Sequence, residues 1–304
     1  MQHLSQITVT CFVGSYIVAL LLEITRGMFR LPGRMAGVIG FTAAGLYTHV
    51  AYLTMSARQQ MDGRGVGLLA SWYDWTLLLA LGVAICYAIL LLRRPDSTLG
   101  YFLLPLVLSL IGLAGVLRNS APFSRDEATG FWLNMHAGSM LLVTVAVLLG
   151  FVAGVVYLVH SYRLKHKRLS SAGMRLPSLE WLQTVNRVCL LTSTCLMAVG
   201  LFAGIAMHLN RSGEIVWTNR GIALSCVLFA WLVIATLFEA FYKPARRGRK
   251  IAYLTLASFG FLVLAMAGLF TSNHGGTGEP PAGKAQVTEQ TTSLSVAFAK
   301  GAEV

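Results

Sequence analysis

The stretch FWLNMHAGSMLLVTVAVLLGFVAGVVYLVHSYRLKHKR, residues 131–168, decides the fold of this chain. From 132 to 160 it contains no aspartate, glutamate, lysine or arginine. At 1.5 Å per residue, a helix of that length measures about 43 Å, which exceeds the roughly 30 Å hydrocarbon core of a bilayer. We therefore predict a transmembrane helix that tilts, or that protrudes at one end.

Similar uncharged runs lie on both sides of this stretch. Each has about 18 residues or more, enough to cross a bilayer, and they lie at 6–25, 35–57, 75–92, 99–117, 188–210, 221–242 and 251–271. The chain of 304 residues is 56% hydrophobic and only 12% charged, whereas soluble domains carry roughly 25% charged residues. We predict an all-α polytopic membrane protein, a bundle of about eight transmembrane helices in a single domain, residues 1–272.

The basic residues predict the orientation of this bundle. About two thirds of the 24 lysines and arginines fall in the loops that follow the first, third, fifth and seventh runs. The positive-inside rule places those loops in the cytoplasm and both termini outside. Residues 273–304 are rich in Gly, Thr, Ser, Ala and Pro, which predicts a disordered extracytoplasmic tail.

The soluble-enzyme motifs are absent from the sequence. It contains no Walker motif, GxGxxG, HExxH or GxSxG, so nothing indicates a nucleotide enzyme, a zinc protease or a serine hydrolase. The cysteines form no CxxC or CxxCH, which argues against a thiol-disulfide exchanger and covalent haem attachment. We interpret them as small buried packing residues: Cys11, Cys86, Cys189, Cys195 and Cys226.

Four histidines fall on the predicted outer side of the membrane: His49, His136, His208 and His274. Neutral imidazoles gathered near one membrane face could serve as axial ligands to a haem iron. The alternative is a set of interfacial histidines that bind headgroups or backbone carbonyls.

Aromatic and basic residues accompany these histidines. Flat rings could pack a porphyrin, although an aromatic belt is common to membrane proteins. Arginines pair bidentately with carboxylates and so suit haem propionates, but they also anchor helix ends. The candidates are Phe131, Trp132 and Trp217 for the walls, and Arg118, Arg125 and Arg211 for the propionates.

Two acidic residues lie near the predicted cytoplasmic ends of helices. Glu23 and Glu239 are each about one turn from a basic residue, Arg26 and Lys243 respectively. A paired or snorkelling side chain is one interpretation; a proton or cation path is the other. A third acid, Asp74 at the predicted outer rim, is a candidate helix cap or a partner for Arg64.

Three stretches of the chain resemble the cytochrome c assembly protein family. They are residues 131–168, quoted above; LPSLEWLQTVNRVCLLTSTCLMAVGLFAG, 176–204; and AWLVIATLFEAFYKPARRGRKIAYLTLASFGFLVLAMAGL, 230–269. The resemblance covers about 131–274. It implies haem handling in cytochrome c maturation, with apocytochrome c and other maturation membrane proteins as partners. It also implies location in a bacterial inner membrane or an organelle of that descent.

The resemblance also implies a ligand set. His136 matches the outer histidine that opens the fifth helix, an axial ligand to non-covalent haem b, and His274 corresponds to a second ligand near the end of the last helix. His49 corresponds to a membrane-embedded histidine. In two places the chain departs from the family pattern: a tryptophan-aspartate pair is missing near Trp217, and Glu239 replaces an embedded histidine. Both departures favour a reduced relative of the haem-handling members.

Two other interpretations of the sequence stay open. A small-solute or ion transporter would use Glu23 and Glu239, although matched, interrupted helices of the kind that transporters carry are not evident. A scaffold or regulator would keep the fold without binding haem, as the missing tryptophan-aspartate pair would allow.

Overall fold

The structure, a computed structural model, describes residues 2–25, 33–64, 71–95, 97–119, 131–166, 177–212, 220–241 and 249–271. Across these ranges the chain forms eight α-helices and a short 3-10 helix, Leu117–Asn119, and no strand. The α-helices are α1 (Gln2–Ile24), α2 (Arg34–Arg64), α3 (Trp72–Arg93), α4 (Gly100–Val116), α5 (Phe131–Lys165), α6 (Leu179–Ser212), α7 (Arg220–Phe241) and α8 (Arg249–Thr271). The predicted all-α class is confirmed.

Six of these helices are long and apolar enough to cross a membrane: α2, α3, α5, α6, α7 and α8. The apolar parts of α1 and α4 are shorter, at Val9–Ile24 and Gly100–Val116. The chain is therefore an integral membrane protein by the length and composition of its helices. The orientation of the termini stays a prediction, and the predicted tail at 273–304 lies outside the described residues.

Several helices that follow one another in the sequence pack antiparallel. Along α5 and α6, His136 meets Gly204, Gly150 meets Cys189, and Tyr157 bonds to Gln183. The pairs α1–α2, α6–α7 and α7–α8 are antiparallel as well. The start of α5 and the end of α6 therefore lie at one end of the bundle, which we call the His136 end.

Helix α5 is the centre of the bundle. In its most apolar stretch of 18 residues, 67% of the residues are buried, whereas in the corresponding stretch of α7 only 17% are. One hydrophobic cluster lies mainly between α1, α2, α3, α4 and α5, and a second lies between α5, α6, α7 and α8. A helix that is apolar on all sides is expected to be buried, and the sequence of α5 has that character.

Helix α6 begins earlier than the uncharged run at 188 predicts. Ser178 caps its start, since its Oγ accepts a hydrogen bond from the Trp181 backbone N–H at 3.3 Å. Asn186 and Arg187 then interrupt the hydropathy without interrupting the helix. Asn186 is buried next to Thr255 of α8, and Arg187 forms an ion pair with Glu239 of α7, so contacts with other helices accommodate polar residues that the sequence pattern assigns to a loop.

The predicted cap at the start of α3 is a shared one. Ser71 is the residue before the helix, and its Oγ accepts a hydrogen bond from the Asp74 backbone N–H at 3.2 Å. The same hydroxyl donates to Asp74 Oδ2 at 2.9 Å. Ser71, rather than the candidate Asp74, therefore holds the capping position, and Asp74 bonds to it from the first turn of the helix.

The interpretation of all five cysteines as buried packing residues is wrong for most of them. All five are free thiols, but only Cys189 is buried, and Cys11 and Cys195 are exposed on helix surfaces. Apolar runs gave the prediction, yet in a membrane helix an apolar position faces lipid as readily as it faces a core.

Gly154 allows the close approach of α5 to α8, and we predict that replacing it destabilises the protein. A Cβ at this position would lie 2.7 Å from Leu256 Cδ1 and 3.2 Å from the Ala252 carbonyl oxygen. We expect Gly154→Ala to lower the free energy of unfolding by about 1–3 kcal/mol, as overpacking usually does. Unfolding in mixed detergent micelles measures this. Gly260→Ala on α8, where a Cβ meets no atom within 4 Å, should leave stability unchanged; equal losses in both variants would contradict the assignment.

Candidate functional site

His136 is fixed by the backbone of the neighbouring helix. It lies in the second turn of α5, half-buried, with Nδ1 2.7 Å from the Gly200 carbonyl oxygen of α6. A carbonyl oxygen can only accept, so Nδ1 carries the proton and donates. In the neutral ring the lone pair then belongs to Nε2. A backbone carbonyl on one ring nitrogen is the usual way of orienting a histidine whose other nitrogen ligates a metal.

Glycines on α6 make this contact possible. A Cβ on Gly204 would lie 2.8 Å from His136 Nδ1 and 3.0 Å from Cε1, and one on Gly200 would lie 2.9 Å from Met140 Cε. Since Gly200 and Gly204 are four residues apart, they lie on one face of α6. The imidazole occupies the space that a side chain at Gly204 would fill, and Met140 occupies the corresponding space next to Gly200.

An aromatic group borders His136. Trp132 precedes it by one helical turn and so shares its face of α5. The Trp132 ring packs edge-on against Phe202 of α6, with centroids 5.8 Å apart, and against Phe131 at 5.4 Å. Phe131 and Phe202 are 68% and 66% exposed. The His136 end therefore offers flat apolar surface next to an oriented imidazole.

The other predicted site residues are placed as follows. His208 is four residues beyond Gly204, so its backbone position continues the α6 face that meets His136. Arg211 follows in the last turn of α6. Arg118 is exposed in the 3-10 helix after α4, which contacts α3. Outside the described residues lie Arg125, Trp217 and His274.

His49 belongs to a different part of the bundle. Its ring is fully buried and stacks on Phe12 of α1, with centroids 4.4 Å apart and planes 4° apart. Nδ1 lies 3.4 Å from the Tyr16 hydroxyl. These contacts are with α1, whereas those of His136 are with α6. The expectation that both histidines lie near one outer rim stays a prediction.

The buried acids have partners that the sequence did not indicate. Glu239 is 2% exposed, and its Oε1 lies 3.3 Å from Arg187 Nε of α6. Glu23 is 3% exposed, and its Oε1 lies 3.4 Å from the Tyr87 hydroxyl of α3. The predicted neighbours in sequence, Arg26 and Lys243, lie outside the described residues.

Comparison with known proteins agrees with the resemblance and extends it. The family model described as "Cytochrome C assembly protein" matches residues 69–275, from the start of α3 onward, which leaves α1 and α2 with His49 outside the match. A curated protein of Azospirillum brasilense, described as an uncharacterized 28.8 kDa protein in the nifR3-like 5′ region, is 26% identical over 179 residues. That alignment covers 59% of this chain and 65% of the relative. No solved structure matches the chain significantly.

The family match spans more than half of the chain and includes α5, α6, α7 and α8, the helices around His136. The chain belongs to the cytochrome c assembly protein family.

Proposed function

We propose that this protein binds haem b non-covalently at the His136 end and presents it to apocytochrome c during cytochrome c maturation. Membership of the cytochrome c assembly family supports the broader role, in cytochrome c biogenesis. The proposal puts the protein in a bacterial inner membrane with both termini outside, so that the His136 end faces the compartment where cytochromes c mature. The observation that carries it is the hydrogen bond from His136 Nδ1 to the Gly200 carbonyl.

The residues present suit haem as a bound group. Haem iron in proteins is commonly held by the neutral nitrogen of a histidine, and hydrogen bonding at the other nitrogen fixes the tautomer and the ring orientation. The hydrogen bond from His136 to the Gly200 carbonyl meets the second condition. Trp132 and Phe202 add flat apolar surface within one turn of the imidazole, which suits a porphyrin face.

The second axial ligand has two candidates. His208 continues the face of α6 that carries Gly200 and Gly204, and His274 follows the end of α8 in the sequence. The family resemblance favours His274, whereas the helix register of α6 favours His208. His208 would supply an imidazole from α6, and His274 would supply one from the segment that follows α8 in the sequence.

The chain's own residues would perform three tasks at this end. His136 would orient the haem and ligate its iron. Trp132 and Phe202 would exclude water from one edge of the porphyrin, and Arg118, Arg125 or Arg211 would pair with the propionates. Haem itself supplies the vinyl groups that react with apocytochrome thiols, so the protein contributes binding, orientation and exclusion of water.

Haem content tests the proposal. We expect protein purified from haem-replete cells to show a Soret band, and the His136→Ala variant to lose most of it at equal protein concentration. His166→Ala is the matched control, because His166 lies at the other end of α5, exposed, with its Nδ1 bonded to the Tyr162 carbonyl. Wild-type protein without a Soret band, or equal loss in both variants, would refute haem binding at His136.

The identity of the second ligand gives a separate prediction. Of His208→Ala and His274→Ala, we expect one to convert a low-spin ferric spectrum to a high-spin one, because removing one axial imidazole leaves a five-coordinate or water-bound iron. Electron paramagnetic resonance and the charge-transfer region of the visible spectrum measure the change. Low-spin spectra in both variants would eliminate both candidates.

A further inference from the structure

A cavity lies where α5, α6, α7 and α8 meet, in the middle of the second hydrophobic cluster. It has room for about one water-sized sphere. The apolar wall includes Gly150 of α5 and Leu232 of α7. The remaining wall is unusually polar for a membrane interior and is formed by Cys189, Ser193, Thr255 and Ser258.

The two serine hydroxyls of this wall already donate their protons to backbone carbonyls. Ser193 Oγ donates to the Cys189 carbonyl at 2.7 Å, and Ser258 Oγ donates to the Leu254 carbonyl at 2.9 Å. Each hydroxyl has one proton and two lone pairs. Ser258 uses a lone pair to accept from Trp231 Nε1 at 3.0 Å. What the Ser193 hydroxyl still offers is therefore acceptor capacity, and it suits a ligand that donates.

Asn186 lies one helical turn from Cys189 and carries an unsatisfied amide. The residue is 1% exposed, and its Oδ1 lies 3.2 Å from Thr255 Oγ1, whose single proton is shared with the nearer Ala252 carbonyl at 2.9 Å. Its Nδ2 is buried and forms no hydrogen bond with any part of the chain that the structure describes.

Exchanging the oxygen and nitrogen of the Asn186 amide does not remove the deficit. Nδ2 would then donate to Thr255, whose own proton is taken by the Ala252 carbonyl at 2.9 Å, and Oδ1 would become the atom left without a partner. A buried polar atom without a partner costs about 1–3 kcal/mol. Both orientations therefore call for an additional hydrogen-bonding ligand.

We propose that a water molecule occupies this cavity and forms a buried hydration site shared by α6 and α8. Water is the ligand whose chemistry fits, because it can donate to the hydroxyls of Ser193 and Thr255, which both line the cavity. It also has both donor and acceptor capacity for Asn186, which contacts Thr255 and is not itself a lining residue. Buried waters typically make about three such bonds. No carboxylate lines the described wall, so the site does not favour a cation.

Hydroxyl-radical labelling by X-ray radiolysis tests this in the full-length protein in lipid nanodiscs. Bound water generates radicals in place, so side chains next to it are oxidised even when they are shielded from bulk solvent. Cys189 lines the cavity and is buried, whereas Cys86 on α3 is less buried and does not line it. We expect oxidation of Cys189 to exceed that of Cys86 several-fold, although burial alone predicts the opposite order.

Three variants test which side chains hold the proposed water. Asn186→Leu and the smaller change Ser193→Ala should each reduce Cys189 oxidation to the Cys86 level or below it. Thr194→Val should leave it unchanged, because the Thr194 hydroxyl bonds to Thr236 at 2.8 Å and does not line the cavity. If Asn186→Leu does not fold, Ser193→Ala still decides. Cys189 oxidation at or below that of Cys86 in the wild type, or unchanged oxidation in Ser193→Ala, would overturn the proposal.

Discussion

We expect the replacement of Gly204 with alanine to displace the His136 imidazole and to weaken the haem binding that we propose for this site. The new Cβ would lie 2.8 Å from Nδ1 and 3.0 Å from Cε1, distances that non-bonded carbon does not tolerate. The ring must therefore leave the position in which it bonds to the Gly200 carbonyl. Loss of the group that orients a metal ligand typically costs about 10- to 100-fold in affinity, and we expect a loss of that size.

Haem titration of the purified variant, followed at the Soret band, measures this loss. Gly138→Ala is the matched control, since Gly138 is two residues from His136 on α5 and a Cβ there meets no atom within 4 Å. The control should bind haem as the wild type does. Wild-type affinity in Gly204→Ala would show that the packing of His136 against α6 has no part in binding.

Removing Arg187 will destabilise the protein through Glu239. The Glu239 carboxylate is 2% exposed and pairs with Arg187 Nε at 3.3 Å, so Arg187→Ala leaves a buried charge without its partner. Breaking a buried pair costs about 3–5 kcal/mol. The Arg187 side chain is 49% exposed, and solvent screening of that half lowers our expectation to about 2–3 kcal/mol.

A double-variant cycle identifies the cause of this loss. Glu239→Gln in the Arg187→Ala background removes the buried charge, so the double variant should be more stable than Arg187→Ala alone. Unfolding in mixed detergent micelles gives the free energies. An Arg187→Ala variant as stable as the wild type would mean that the pair contributes nothing, and a double variant less stable than Arg187→Ala would exclude a buried-charge penalty.

The helices could be predicted from the sequence because lipid imposes a simple requirement. Each span must be apolar and long enough, and backbone groups must bond within it. This holds for α5, whose uncharged run at 132–160 lies inside Phe131–Lys165. The requirement does not predict the start of α6, where Asn186 and Arg187 look like loop residues but lie in the helix and contact Thr255 and Glu239 on other helices.

The candidate site was predictable only in part. His136 stood out because it opens an uncharged run and matches a family pattern, and Trp132 follows from helical spacing. Gly200 and Gly204 carried no comparable signal, since a glycine matters here only because of the ring that faces it across the α5–α6 contact. The burial of His49 against Phe12 likewise depends on a contact between two helices, which hydropathy does not reveal.

Imidazole rescue of a His136→Gly variant tests most directly whether the His136 ring ligates haem. The substitution leaves a space the size of the lost side chain next to the Gly200 carbonyl, and free imidazole can fill it as a ligand. We predict that His136→Gly protein lacks the low-spin Soret spectrum and regains it on addition of imidazole, while His166→Gly needs none. A wild-type spectrum in His136→Gly without imidazole would contradict ligation by His136.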